Sequence, residues 1–365
     1  MAGAVDLIFK EKLTPYIKSQ MEHLASTLGI DAQPYQAMHL QYIKASAENE
    51  VSPQDRMRHY SSDVVVEYEG RPLKGVERLY RRTILLEPSS VCAAHCRWCL
   101  RGQYPVFGLT EEEISRFARY CGAPENRDDL REVLITGGDP LMVPKRLQFA
   151  VEALKRHAPN ILVVRVGTRV PVQDPDRIDS NLLDVLAATR PIRLEIGTHV
   201  NHPVELAPKA EEAYQRLAGV VHRIYDQTVL LKGVNDSEDV LGELYDRLRY
   251  LGIEAHYLFH CIPMRGMSQH RTTVQKGLEL ARRLTSSGLF SGRAKPMYTL
   301  MTDIGKVTLY QGTILGRNEN NEIQVQSSYT VEDFLHRNPS WKQPASTQVG
   351  DDGCLKVWYP DGAGT

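Results

Sequence analysis

From Arg82 onward the chain alternates short β-branched runs with amphipathic stretches, and this alternation restricts the fold more than any other feature. TILLE (83–87), EVLIT (132–136), ILVVRVG (161–167), IRLEIG (192–197), IYDQTVLL (224–231) and EAHYLFH (254–260) read as strands. Between them PKRLQFAVEALKRHA, NLLDVLAAT, APKAEEAYQRLAG and SEDVLGELYDRLRYLG carry apolar residues at three- and four-residue steps, the spacing of one helix face. A strand and a helix recurring roughly every 30 residues is the pattern of βα units on a parallel sheet. Six units are too few for a complete eight-stranded barrel, which leaves an open partial barrel or a doubly wound sheet. The loops separate the two. CAAHCRWC, GGDP, TRVP, THVNHP, KGVND and CIPMRG each follow the carboxyl end of a strand. In a barrel such loops converge on one face, where the chemistry is assembled. A doubly wound sheet shows GxGxxG after its first strand, and no such glycine pattern follows TILLE. The expected fold class is α/β, a partial (β/α)6-type TIM barrel over residues 74–309.

Two flanking regions complete this reading, an N-terminal helical region over residues 1–73 and a small C-terminal segment over 310–365. LTPYIKSQMEHLASTLGI and YQAMHLQYIKASAENE have helical spacing, and DVVVEYEG reads as a strand ending in a glycine turn. Beyond about Leu309 the chain is rich in Asn, Gln, Ser and Pro and reads as loosely connected.

Composition mainly excludes. A formal net charge of -1 gives no footprint for nucleic acid or an anionic membrane. No apolar run approaches the roughly 20 residues a spanning helix needs, so no membrane partner is expected. MAGAVDLIFKEKL lacks a basic leader region, and six cysteines in 365 residues make no disulfide scaffold. The expected compartment is the reducing cytoplasm.

Three of those cysteines stand as Cys92-x3-Cys96-x2-Cys99 on the loop after the first barrel strand. Three thiolates on a [4Fe–4S] cube leave one iron open for chemistry. The competing reading is structural zinc, which wants four closed ligands and would have to recruit His95, Cys121 or Cys261; the uneven spacing suits it poorly.

With the aromatic Trp98 before the third cysteine, this loop resembles the signature of the radical S-adenosylmethionine superfamily. Gly137-Gly138-Asp139 is similar to that family's Gly-Gly-acid motif, whose backbone contacts the methionine moiety. The resemblance implies a 5′-deoxyadenosyl radical formed from S-adenosylmethionine at the open iron. A narrower resemblance, to lysine 2,3-aminomutase and its relatives, rests on CRWCLR (96–101), LITGGDPL (134–141), VGTRVPV (166–172), GTHVNHP (197–203), QTVLLKGVND (227–236) and MRGMSQHRT (264–272). It covers roughly residues 74 to 310. It implies a second cofactor, pyridoxal 5′-phosphate, and the transfer of an amino group from Cα to Cβ.

By the same resemblance Lys306 carries the pyridoxal phosphate, with Lys232 as the runner-up, although the glycine run before Lys306 is shorter than the family's. Arg101 would clamp the substrate carboxylate. Arg78 and Arg82 would hold the cofactor phosphate, although the gap from Arg82 to Cys92 is one residue longer than in the family. Thr198, His199 and Gln227 would meet S-adenosylmethionine or the cofactor.

Lysine-specific members bind the distant ammonium with two aspartates. Here Ile262 stands at the first place and Met301 at the second, or Asp303 if the alignment gap is moved. Burying an ammonium without a carboxylate costs several kcal/mol, so free lysine is not the expected substrate. Arg265 could serve an acidic side chain, or Ile262 and Met301 could line an apolar pocket. The partners implied are a small amino acid and a reductant such as flavodoxin or ferredoxin. Only Cys354 lies where some relatives carry C-terminal zinc cysteines, so their tetramer is not implied and a homodimer is the assembly left open. Two other functions compete, a radical S-adenosylmethionine enzyme of another reaction type without pyridoxal phosphate, and a non-catalytic metal scaffold.

Overall fold

The computed structural model describes residues 10–50, 52–53, 55, 65–78, 80–101, 107–286, 296–310, 313–351 and 353–362; most of MAGAVDLIFKEKL and part of DVVVEYEG lie outside them. The first strands form a small hairpin, β1 (Glu67–Tyr68) against β2 (Arg71–Pro72), turning on Glu69-Gly70. Then follow β3 (Val76–Glu77), β4 (Thr83–Ser89), β5 (Glu132–Gly137), β6 (Val163–Thr168), β7 (Arg193–Thr198), β8 (Arg223–Leu230), β9 (Glu254–His260), β10 (Met297–Thr302) and β11 (Gly305–Thr308). These nine form one sheet in sequence order. From β4 to β10 neighbouring strands run parallel, while β3 and β11 pair antiparallel at the two edges.

Helices Glu111–Gly122, Pro144–His157, Ser180–Ala187, Pro208–Ala218, Glu238–Tyr250 and Val274–Ser286 follow β4 to β9 in turn. The sheet is therefore the expected partial barrel of six β/α units, with a correction: a seventh parallel strand, β10, returns through a hairpin to β11. MYTLMT escaped the strand reading because no helix follows it, so the alternation that marks the other strands has already stopped.

Side chains alternate across each strand. Val133, Ile135, Val164 and Val166 are buried under the helices. Each such burial stabilises by about 1.5–3 kcal/mol. The intervening positions, such as Glu132 and Thr136 on β5 and Arg165 and Gly167 on β6, are only half-buried and form the concave wall.

Helices α1 (Pro15–Leu28) and α2 (Gln33–Tyr42) build a second core. Thr14 caps α1 by accepting from the Ile17 amide at 3.1 Å, and Pro15 occupies the first helical position, where no amide donor is needed. Their buried faces, including Ile17, Met21, Met38 and Tyr42, pack with Trp98, Val229, Phe259 and Ile262. The two helices thus cover the carboxyl ends of β8 and β9 and the cysteine loop.

The C-terminal segment is not loose. β12 (Ile314–Arg317), β13 (Glu322–Thr330), β14 (Thr347–Val349) and β15 (Cys354–Pro360) form an antiparallel sheet in the order β12-β13-β15-β14. Ile323 and Val325, with Leu355, Val357 and Tyr359, alternate with polar residues and join the main core. Its polar outer face produced the loose reading. Among the described residues no helix is long and apolar enough to cross a membrane.

Candidate active site

The cysteine loop leaves the carboxyl end of β4 and is held by the N-terminal region. Lys12 Nζ donates to the Cys92 carbonyl at 2.7 Å, the His95 amide to the Lys12 carbonyl at 2.9 Å, and the Arg97 amide to the Gln41 carbonyl at 2.8 Å. Arg97 turns away from the cavity and forms a buried fork with Glu48, its Nε to Oε1 at 2.9 Å and its Nη2 to Oε2. Cys92, Cys96 and Cys99 line one cavity together with Gly137, Gly138 and His199. Burial pushes the Cys92 thiol up, and Cys99, Asp139 and Cys96 push it further. Sulfurs that raise one another's charging cost are relieved by a cationic iron core between them. Cys96 Sγ is already arranged as an acceptor, receiving Arg169 Nη1 at 2.8 Å and Gln173 Nε2 at 3.2 Å. Among the described residues no three His, Cys, Asp or Glu side chains gather about one point as a single ion requires. Three cysteine sulfurs on the wall of one cavity are the kind of donor set that holds an iron–sulfur cube with one iron left open.

The Gly-Gly-Asp turn serves this loop directly. The Gly138 amide donates to the Ser89 carbonyl and the Asp139 amide to the Val91 carbonyl, both at 2.7 Å. A Cβ on Gly137, whose φ is +105°, would stand 2.6 Å from the Ser89 carbonyl oxygen, and one on Gly138 only 2.3 Å from that of Val91. The glycines therefore let one loop lie on the backbone of the other. Asp139 lines the cavity as well, while its side chain is used within the fold. Its buried carboxylate accepts from Thr168 Oγ1 at 2.8 Å, from the Arg169 amide at 2.7 Å and from the Leu141 amide at 3.0 Å, tying the loops after β5 and β6 together.

Thr198 also turns the other way: its hydroxyl bonds the Thr168 carbonyl at 3.1 Å and the Tyr214 hydroxyl at 2.7 Å, within the helix layer. One position further, the strand's alternation puts His199 at the cavity, its ring 5.8 Å from that of Trp98. Burial and the Arg169 cation lower its pKa to about 3, so the ring is neutral, and its buried Nδ1 has no hydrogen-bond partner among the described residues. Gln227 lies over the neighbouring strand, its amide nitrogen 2.6 Å from where a Cβ on Gly197 would stand.

Lys306 lies on β11 opposite Met301 of β10. Its Nζ sits 4.7 Å from the Tyr257 ring centroid and 5.1 Å from that of Phe259. Burial, with Arg165 nearby, lowers its pKa from the usual 10.5 to about 8, against the pull of Glu132. Arg101 lines the cysteine cavity and is oriented by an ion pair from its Nε to Glu87. Ile262 is buried with Met264 in the second core. Arg265 is half-buried on the same loop, beside Gly266, which packs on the Glu48 backbone. Lys232 is exposed.

Three expected contacts stand elsewhere. Asp303 accepts from Ser346 Oγ at 2.6 Å and so anchors the C-terminal sheet. Arg78 and Arg82 flank the amino end of β4, whereas the cysteines follow its carboxyl end. Arg78 Nη1 donates to Tyr120 Oη at 2.9 Å and Asn126 Oδ1 at 2.5 Å, and Arg82 Nη1 donates to the Asp128 carbonyl at 2.8 Å. An Arg-x3-Arg spacing cannot tell which end of a strand it marks; here both guanidiniums fasten the Asn126–Asp129 turn.

Arg169, with Gln173, Glu205 and Gln41, was not singled out from the sequence. TRVP was noted as a loaded loop, but nothing in it says that its arginine turns to a cysteine 73 positions earlier.

No protein-family model matches the chain. A relative from Aquifex aeolicus, provisionally named an L-lysine 2,3-aminomutase, is 37% identical over 255 residues, 68% of this chain and 67% of its own length. The L-lysine 2,3-aminomutase of Methanococcus maripaludis is 32% identical over 300 residues, 81% of this chain and 65% of its own. That of Clostridium subterminale is 31% identical over 229 residues, 63% and 54% respectively. The chain thus spans from about half to two thirds of these relatives' lengths. A solved radical SAM methyltransferase from Sphaerobacter thermophilus matches with a TM-score of 0.46 and 19% identity, over 80% of this chain and 96% of that one.

Proposed function

The chain belongs to the lysine 2,3-aminomutase family of radical S-adenosylmethionine proteins, and from that premise we propose that it is a pyridoxal-phosphate-dependent 2,3-aminomutase of an amino acid with an uncharged side chain. The observation that carries the reading is the place of Lys306, whose buried Nζ stands 4.7 Å from the Tyr257 ring centroid and 5.1 Å from that of Phe259, two rings of the cluster that also packs Trp98 and Cys99 of the cysteine loop. Arg101 and His199 both line the cavity; Arg101 helps lower the Lys306 pKa, and Lys306 helps lower that of His199.

Cys92, Cys96 and Cys99 would hold the [4Fe–4S] cluster, with the Gly137–Gly138 backbone, His199 and Gln227 around S-adenosylmethionine, and Lys306 would hold pyridoxal phosphate. Bound there, the cluster with S-adenosylmethionine supplies hydrogen abstraction from an unactivated carbon, and the pyridine ring supplies delocalisation for the migrating nitrogen. The protein's own part is position. Neutral His199 offers an acceptor at Nδ1. Arg101, steadied by Glu87, presents a guanidinium at the cavity, where a fork of donors meets a carboxylate. Lys306, with its pKa near 8, has a neutral amine available close to neutral pH.

The substrate reading rests on the surroundings of Lys306. Met301, Tyr257 and Phe259 stand beside it, and Ile262 packs with them. The carboxylates of the concave wall already face arginines: Glu132 pairs with Arg165 at 2.7 Å, Glu195 with Arg193 at 2.9 Å, and Glu87 with Arg101. An incoming ammonium would have to break one of these pairs. An apolar side chain needs no such exchange.

Anaerobic reconstitution tests this reading. About four irons per chain are expected, with pyridoxal phosphate retained by the wild type and lost in Lys306→Ala while the iron stays. L-Leucine or L-phenylalanine should give β-amino acid where L-lysine gives little. Zinc in place of iron would sink the whole reading; efficient β-lysine formation would sink only the substrate class.

A further inference from the structure

We infer that Arg169, assisted by Gln173, is a positioning residue that sets the redox poise of the cluster held by Cys92, Cys96 and Cys99. The inference rests on the iron–sulfur reading above and adds to it the groups that tune the cluster.

Arg169 begins just after β6 and is 7% exposed. Its backbone is fixed first, because its amide donates to Asp139 Oδ2 at 2.7 Å. Each guanidinium nitrogen then has an acceptor on a different element. Nη1 donates to Cys96 Sγ at 2.8 Å, Nε to the His199 carbonyl at 2.9 Å, and Nη2 to Glu205 and, at 3.3 Å, to Gln41 Oε1. The plane of the group is enclosed by Trp98, with its ring centroid at 4.9 Å, and by Tyr42 at 5.5 Å. Glu205 is equally fixed, accepting from the Asn201 amide at 2.8 Å and the His202 amide at 3.0 Å. The guanidinium cannot swing away without stranding a buried carboxylate. Lysine could not substitute, since a single ammonium does not span these four acceptors at these angles.

The consequence falls on the sulfur. Two N–H donors at one cluster thiolate withdraw charge from it and stabilise the reduced, more negative cluster, which raises its midpoint potential. Glu205 cancels most of Arg169's net charge, so the effect comes from the directed N–H···S bond more than from a distant cation. Gln173 contributes a neutral donor at 3.2 Å.

The test uses the reconstituted protein with S-adenosylmethionine, read by iron and sulfide per chain and by an EPR-monitored redox titration. R169M/E205Q removes the donor and keeps the buried charge balanced, R169K keeps the charge and loses the fork, and Q173M removes only the neutral donor. The expected result is full iron content with midpoints below wild type, least lowered in Q173M and most in R169M/E205Q, together with altered g-values. An iron-loaded R169M/E205Q with wild-type midpoint and g-values overturns the inference. Should that variant fail to take up iron, Q173M decides: a lowered midpoint supports the inference and an unchanged one overturns it. Wild-type protein that binds zinc and no iron would overturn the underlying reading instead.

Discussion

The two ends of the barrel strands use the same residue types for different ends. At the amino ends, arginines and carboxylates meet near solvent: Arg81 pairs with Asp129 at 2.8 Å while 65% exposed, and Arg223 with Glu254 at 3.4 Å. At the carboxyl ends, Arg97–Glu48 and Arg169–Glu205 are buried, and the remaining donors of Arg169 reach a backbone carbonyl and a cysteine sulfur. Exposed pairs are screened and contribute about 0–1 kcal/mol each. Breaking a buried pair strands a charge and costs about 3–5 kcal/mol. The difference teaches that an arginine near a motif acquires its role from which end of the strand it occupies and how dry that end is.

The widest gap between the ends is chemical. Cys96→Ala removes one of the three proposed cluster ligands, and iron per chain and turnover should both fall to background. Cys354→Ser, on β15, should leave both within error of wild type. Iron retained in Cys96→Ala would separate the carboxyl-end loop from metal chemistry altogether. The next gap is in stability. Arg97 Nη2 and Nε hold Glu48 in the second core, and Arg97→Met should lower unfolding free energy by about 3–5 kcal/mol. Arg81→Met should change it by at most about 1 kcal/mol. Denaturant melts of the two variants in one buffer measure the contrast, and equal losses would erase it.

What could be read in advance follows from how local each signal is. The six β/α units were legible because period and turn chemistry lie within each run of sequence, and so was the cysteine triad, which needs only a spacing. β10 was not, because MYTLMT is identified as a parallel strand only by its pairing with Tyr257, Leu258 and Phe259. Thr198 and His199 are adjacent in GTHVNHP, yet one turns into the helix layer and the other to the cavity; the phase of a strand decides this, and the phase is fixed by packing. Arg169 was hidden for a related reason. Its partners Gln41, Cys96, His199 and Glu205 come from four separate elements, so no window of sequence contains the network.

Arg78 sharpens the comparison at smaller amplitude. Family resemblance gives it a cofactor phosphate, whereas here its guanidinium is bonded to Tyr120 and Asn126 below the sheet. Arg78→Met should cost about 1–3 kcal/mol, because buried partners lose a donor. The affinity for pyridoxal phosphate should be unchanged, as equilibrium dialysis would report. A tenfold or greater loss of affinity at unchanged Tm would return Arg78 to the cofactor site.

The smallest effect concerns the titration of Lys306. Burial disfavours its ammonium, Arg165 and Arg101 add repulsion, and Glu132 opposes them, leaving a pKa near 8 instead of 10.5. Only the neutral amine attacks an aldehyde, so uptake of pyridoxal phosphate by the apoprotein should rise about tenfold per pH unit below 8 and level off above it. An exposed lysine would keep climbing toward pH 10, and such a profile, followed by visible absorbance in stopped flow, would move Lys306 out of the site. Glu132→Gln carries the argument one step further. Removing the carboxylate withdraws a favourable partner of the ammonium, so the pKa should fall again and the plateau should begin at lower pH. Arg165, no longer held at 2.7 Å by that carboxylate, would add to the shift if it turned toward the amine. A plateau displaced to higher pH would mean that Glu132 acts on Lys306 chiefly by holding Arg165 near it, and the charges at the two ends of the barrel would then be coupled through that arginine.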